Sequence, residues 1–147
     1  MTDSVKLIKV RESIQSDNDQ LAQKLRKELK AAKTLLINLM SSPGAGKTSL
    51  LLQTAGRLKD DYRMAVIEAD IDSSVDAERL VDSGVEAIQL QTGGFCHLDV
   101  LMVQQGLDSL DPHVLDIIFI ENVGNLVCPA EFDIGEDARV VILSVTE

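Results

Sequence analysis

Residues 35–55 read Leu35-Leu36-Ile37-Asn38-Leu39-Met40-Ser41-Ser42-Pro43-Gly44-Ala45-Gly46-Lys47-Thr48-Ser49-Leu50-Leu51-Leu52-Gln53-Thr54-Ala55. An apolar run, a turn with two glycines and a helical run follow one another directly. The short run 35–40 suits a buried parallel strand, and the segment from Thr48 suits the first turns of a helix. Such a junction aims several backbone N–H groups at one point, at the positive end of a helix dipole. Gly44 and Gly46 admit backbone angles closed to other residues and let an anion come close. Ser42, Pro43, Gly44, Ala45, Gly46, Lys47, Thr48 and Ser49 are therefore expected to cradle the phosphates of a nucleoside triphosphate. In this P-loop reading Lys47 reaches the β- and γ-phosphates and the Thr48 hydroxyl ligates Mg²⁺. Ser41 stands where the pattern usually has its first glycine. The plain alternative is an ordinary glycine-rich strand-to-helix turn.

Outward from this junction, short apolar runs alternate with helical patterns. Strands are expected at about 34–40, 63–69, 86–91, 116–121 and 139–145, and helices at 47–59, 75–83 and 98–110. The alternation implies βαβ units. The expected class is α/β, a P-loop NTPase with a mainly parallel sheet flanked by helices and ligands at the strands' carboxyl ends. The last strand stops close to Glu147, and no base-reading Asn-Lys-x-Asp occurs. Further C-terminal strands are accordingly expected to be missing. Residues 1–33 read as an N-terminal arm and helix packing on the domain of residues 34–147. Val5, Leu7 and Val10 suggest a short extended arm. Ser16 or Asp17 then caps a helix to Lys33, with Leu21, Leu25 and Leu29 on one face.

Of the 147 residues 45% are apolar but only 3% aromatic, so the core must be built from Leu, Ile, Val and Ala. The formal net charge of −10 argues against nucleic acid or an anionic membrane as partner, since phosphates would be repelled. Neither a signal peptide nor an apolar run long enough to span a bilayer is visible, and a cytoplasmic setting is expected. In that setting the two cysteines read as metal ligands, reactive groups or small core residues rather than a disulfide.

The strand ends supply the remaining candidates. Asp70, after strand 63–69, is expected in the Mg²⁺ shell, because that ion keeps several waters and takes few protein oxygens. Asp76 orients the attacking water or caps the following helix, and Asp72 reads as solvated. Glu121, ending strand 116–121, occupies the position from which Walker-B acids hold Mg²⁺ or its waters. The assigned catalytic set is thus Lys47, Asp70, Asp76 and Glu121. Gly124 could let backbone approach the γ-phosphate and move on hydrolysis. Cys96 and His97 follow another strand end, and Cys128 comes shortly after Glu121. Thiolate with imidazole suits Ni²⁺ or Zn²⁺ rather than Mg²⁺ or Ca²⁺. Three soft donors are an incomplete tetrahedral set, which two chains about a two-fold axis could complete. Two small core cysteines are the plain alternative, and His113 reads as a surface residue.

Four stretches carry a family resemblance: Leu39–Thr48, Asp76-Ala77-Glu78-Arg79, Thr92-Gly93-Gly94-Phe95-Cys96-His97-Leu98-Asp99, and Phe119-Ile120-Glu121-Asn122-Val123-Gly124-Asn125-Leu126-Val127-Cys128-Pro129. Together they resemble the hydrogenase nickel-incorporation GTPases (HypB) from about residue 10 to 147, and Ser41 in place of glycine is usual there. The resemblance implies a Mg²⁺-dependent GTPase that delivers nickel to the large subunit of [NiFe]-hydrogenase, with a nickel-delivery chaperone as a further partner. It implies nickel or zinc on Cys96, His97 and Cys128 near a dimer interface, and a homodimer favoured by GTP. The N-terminal cysteine cluster or His-rich stretch of some members is absent, since the first cysteine is Cys96 and neither histidine precedes it. Guanine specificity is implied by the family and carried by no residue present. Two other readings compete: a metal-binding interaction module without effective turnover, and a urease-type nickel-delivery GTPase. The latter carries Cys-Pro-His where this chain has Cys128-Pro129-Ala130.

Overall fold

A computed structural model describes residues 2–69, 74–92 and 96–145, with side chains from residue 16 onward except those of 74–77. Five strands form one parallel sheet: β1 (Leu35–Ser41), β2 (Met64–Glu68), β3 (Glu86–Gln89), β4 (Ile117–Glu121) and β5 (Ala138–Ile142), in the order β3-β2-β4-β1-β5. Four α-helices accompany it: α1 (Thr2–Ala31), α2 (Lys47–Leu58), α3 (Ser74–Asp82) and α4 (Val100–Asp108). Strands β2 and β4 are apolar almost throughout because both faces of a parallel sheet are covered. Successive side chains serve opposite layers. Ala65, Ile67, Ile118 and Ile120 pack with Leu25 and Leu29 of α1 and Val103 and Leu107 of α4. Met64, Val66 and Phe119 pack with Leu51 and Ala55 of α2 and Leu80 of α3.

The register sets the site. Leu39 and Glu68 both pair with Glu121, so β2 and β4 end level with one another and β1 runs two residues past them to Ser41. Beyond that line the chain leaves β1 for the glycine turn and leaves β4 for residues 122–128.

Four expectations need correction. Residues 2–15 are not an extended arm: α1 runs from Thr2, so Ser16 and Asp17 lie inside the helix and do not begin it. No glycine or proline precedes Pro43 to interrupt it. Leu21 is 39% exposed, and the buried stripe is Asn18, Ala22, Leu25 and Leu29. Steps of three and four hold one helix face, whereas successive steps of four drift away from it. Strand β5 ends at Ile142 rather than residue 145, because its ladder partner β1 ends at Ser41 and turns away. Helix α4 begins at Val100 rather than residue 98, where the Asp99 carboxylate accepts from Met102 N at 2.9 Å. Cys96 and His97 therefore sit in the loop before that cap. His113 is exposed in a 3₁₀ turn, Pro112–Val114.

Candidate functional site

Helix α2 starts at Lys47 behind Gly46, which sits at φ +100° and provides no side-chain cap, and its first turn contains no acid. Its leading N–H groups therefore have neither a side-chain cap nor a first-turn carboxylate, as an anion site requires. Gly44 (φ +74°) and Gly46 lie in the left-handed region, and a Cβ added at either meets nothing within 4 Å. The glycines serve the turn's angles rather than its space. A cleft of about 200 Å³ opens here, lined by Gly44–Ser49 and Glu121. Ser42 and Pro43 lead into it.

Lys47 is only 4% exposed, and its Nζ donates to Ser41 Oγ at 3.1 Å. Ser41 Oγ in turn donates to the Ser42 carbonyl at 2.7 Å. Serine in place of the usual glycine thus gives the ammonium a resting place at the foot of the cleft. Thr48 Oγ1 donates to Glu121 Oε1 at 2.8 Å. Glu121 is 1% exposed, and its Oε2 has no hydrogen-bond partner among the described residues. A hydroxyl beside a buried, half-satisfied carboxylate fits a hard cation, which takes oxygen donors. Asp70 and Asp72 lie outside the described residues. Asp76 is the third residue of α3, inside its first turn rather than before it, and its side chain lies outside the description. Sequence reasoning passed over Glu68, fully buried and paired in register with Glu121. Its place at the end of β2, level with Glu121, was the available signal.

The sulfur groups converge on the same side. Cys96 Sγ lies 3.8 Å from His97 Nδ1, and a hydrogen bond between the Cys96 and Cys128 thiols is the main influence raising the Cys128 pKa, followed by burial and the negative charges of Cys96 and Glu131. Both thiols are free, with Cys96 exposed and Cys128 half-buried. The His97 ring stacks on Phe132, with centroids 4.1 Å apart and planes 6° from parallel. Among the described residues no group of three or more His, Cys, Asp or Glu is already arranged as a cation cage. The pairwise contacts place the Cys96 thiol beside both the His97 imidazole and the Cys128 thiol.

Gly124 and Asn125, consecutive residues, join the two regions. A Cβ on Gly124 would stand 3.2 Å from both Cα and Cγ of Pro43 in the glycine turn. Asn125 Nδ2 donates to the Cys96 carbonyl, while its Oδ1 accepts from Val127 N at 3.1 Å and Cys128 N at 3.0 Å. One residue touches the phosphate-type loop and the next holds both cysteine loops. Gly124→Ala should therefore push on Pro43 backbone. Overpacking costs about 1–3 kcal/mol, so triphosphate affinity should fall roughly tenfold with the fold retained. Calorimetric titration alongside a melting curve checks it, and an unchanged affinity would mean that Pro43 yields freely.

The sequence pattern of the CobW/HypB/UreG nucleotide-binding domain matches residues 35–145, which include every strand and the whole cleft. The chain belongs to the CobW/HypB/UreG family. Within it, the chain is 48% identical over 142 residues to the hydrogenase maturation factor HypB of Rhizobium leguminosarum bv. viciae, covering 97% of this chain and 48% of the relative. It is 47% identical to HypB of Escherichia coli K12, covering 49% of that protein. The hydrogenase/urease maturation factor HypB of Helicobacter hepaticus is 44% identical, with 60% covered. The chain thus spans about half the length of the first two of these curated relatives. Among solved structures, HypB of Archaeoglobus fulgidus superposes with a TM-score of 0.81 at 38% identity, over 88% of this chain and 63% of that one. HypB of Helicobacter pylori in complex with nickel gives 0.80 at 38% identity, over 88% and 61%. These likenesses agree with the parallel, helix-flanked P-loop fold expected of the family. Among the described residues no helix is long and apolar enough to cross a membrane.

Proposed function

We propose that this chain binds and hydrolyses GTP and handles nickel, with zinc as the alternative cation, during the maturation of [NiFe]-hydrogenase. The observation that carries the proposal is the Gly124-Asn125 step, which packs on the glycine turn with one residue and ties the Cys96 and Cys128 loops with the next. The family's nucleotide-binding character supports the first half of the reading. HypB relatives named for hydrogenase maturation, and a similar HypB solved with nickel, support the second.

In this reading the N–H groups at the start of α2 hold the phosphate oxygens, and Lys47 leaves Ser41 to meet the β- and γ-phosphates. Thr48 and Glu121, with Asp70, would hold Mg²⁺, which would supply positive charge against the phosphates. Asp76 would orient the attacking water. Cys96, His97 and Cys128 take the soft cation as cargo, their sulfur and nitrogen donors suiting nickel or zinc and rejecting magnesium. The working unit is a homodimer promoted by nucleotide, in the cytoplasm. It hands metal onward with a nickel-delivery chaperone to the hydrogenase large subunit. A relative named hydrogenase/urease maturation factor keeps urease as a second recipient.

The test is titration with GTP and with ATP, each with Mg²⁺ and with or without Ni²⁺, with molar mass read in each state. The expected result is tighter binding of GTP, one Ni²⁺ per chain or per pair, and a doubled mass in the GTP state. Failure of both triphosphates to bind, or of Ni²⁺ to bind at all, overturns the proposal.

A further inference from the structure

The buried stripe of α1 contains one polar member, Asn18, which is 6% exposed in line with Ala22, Leu25 and Leu29. A polar side chain is costly there unless its hydrogen bonds are made. Both are made, each to backbone. Oδ1 accepts from Val100 N at 2.9 Å, and Nδ2 donates to the Asp133 carbonyl at 2.7 Å. The partners fix the amide's orientation, since one is a pure donor and the other a pure acceptor.

Those partners belong to the two loops that carry the sulfur groups. Val100 opens α4, three residues after His97. Asp133 follows Phe132, whose ring stacks on His97. Besides the Asn125 bond and the thiol contact, the same two segments thus meet at the His97–Phe132 stack and through the single Asn18 amide. Arg26, about two turns further along α1, adds a 2.6 Å bond to the Asp133 carboxylate and a 3.2 Å bond to the Glu136 carbonyl. The Cys128-bearing loop is therefore pinned to α1 at two points and the Cys96-bearing loop at one.

We propose that Asn18 is a positioning residue for the Cys96, His97 and Cys128 cluster, setting the separation of its two loops and making α1 part of the metal site. The inference rests on the reading of those three residues as cation ligands. Groups behind a ligand that fix its orientation typically change metal affinity by 10–100-fold when removed. A residue that merely anchors α1 would alter the melting temperature without altering the ion's surroundings.

The probe is Co²⁺ bound to the full chain, read through its thiolate charge-transfer and ligand-field bands. Asn18→Ala should weaken Co²⁺ by about tenfold or more and shift those bands, with triphosphate affinity held within roughly twofold. Asn18→Asp keeps an acceptor for Val100 N and loses the donor for Asp133, so its affinity should fall between the two. If Asn18→Ala does not fold, hydrogen exchange of the Val100 amide in the unaltered chain decides. Zn²⁺ should slow it by about tenfold through the same linkage. Unaltered Co²⁺ affinity and bands in both variants, or Val100 exchange indifferent to Zn²⁺, overturns this inference alone. An unaltered chain that takes up no Co²⁺ overturns it together with the metal reading.

Discussion

Replacing Lys47 with alanine should lower triphosphate affinity by about a hundredfold or more, since a charge-assisted hydrogen bond is worth about 1.5–3 kcal/mol and Lys47 is expected to make two. The side chain is nearly enclosed, with its ammonium on Ser41 Oγ at the foot of the cleft. Ser41 Oγ donates to the Ser42 carbonyl whether or not the ammonium is there. The fold should therefore survive, and a melting curve close to that of the unaltered chain is part of the prediction. Cation binding at the thiols should stay within roughly twofold, because no ligand there depends on Lys47. Calorimetry with GTP and Mg²⁺, followed by Ni²⁺ titration of the same sample, checks both halves. Parallel loss of both affinities would show that the two sites are not separable. Wild-type triphosphate affinity would remove Lys47 from the site.

Cys128→Ala should have the second largest effect, on the cation. Soft-metal sites with four ligands hold zinc by roughly 10–16 kcal/mol, so one thiolate accounts for about 3 kcal/mol and its loss for about a hundredfold in affinity. In the metal-free chain the Cys128 thiol is held protonated above its ordinary range, chiefly by its hydrogen bond with Cys96. The ion must displace that proton, so affinity in the unaltered chain should climb as pH rises and release of acid should accompany loading. The variant should lose much of that slope. Competition against a chelator of known affinity, at several pH values, reads both. A variant as tight as the parent at every pH would exclude Cys128 as a ligand.

How far the residues announce this architecture varies along the chain. Strands β2 and β4 are continuous apolar runs because both faces are covered, and such runs are visible without coordinates. The glycine turn is equally plain, since Gly44 and Gly46 sit where only positive φ closes the loop. The N-terminal segment was not plain. Val5, Leu7 and Val10 suit a strand locally, and only the uninterrupted run to Ala31 makes them helical. Asn18 gave no signal at all. It lies among Ser16, Asp17 and Asp19, and its burial depends on where α1 docks. The nearness of Cys96 and Cys128 was legible as two strand ends on one sheet edge. Their link through Asn125 was not, because a side chain that bonds three backbone groups looks the same in sequence as one in solvent.

The contact of Gly124 with Pro43, one peptide away from the Asn125 fork, has a thermodynamic consequence for any pair of ligands at these two places. Binding free energies around a closed cycle must agree. If triphosphate loosens the ion's hold by some factor, the ion must weaken the triphosphate by that same factor. Two ligands so jointed would displace one another in turn, and measuring either half of the exchange fixes the other.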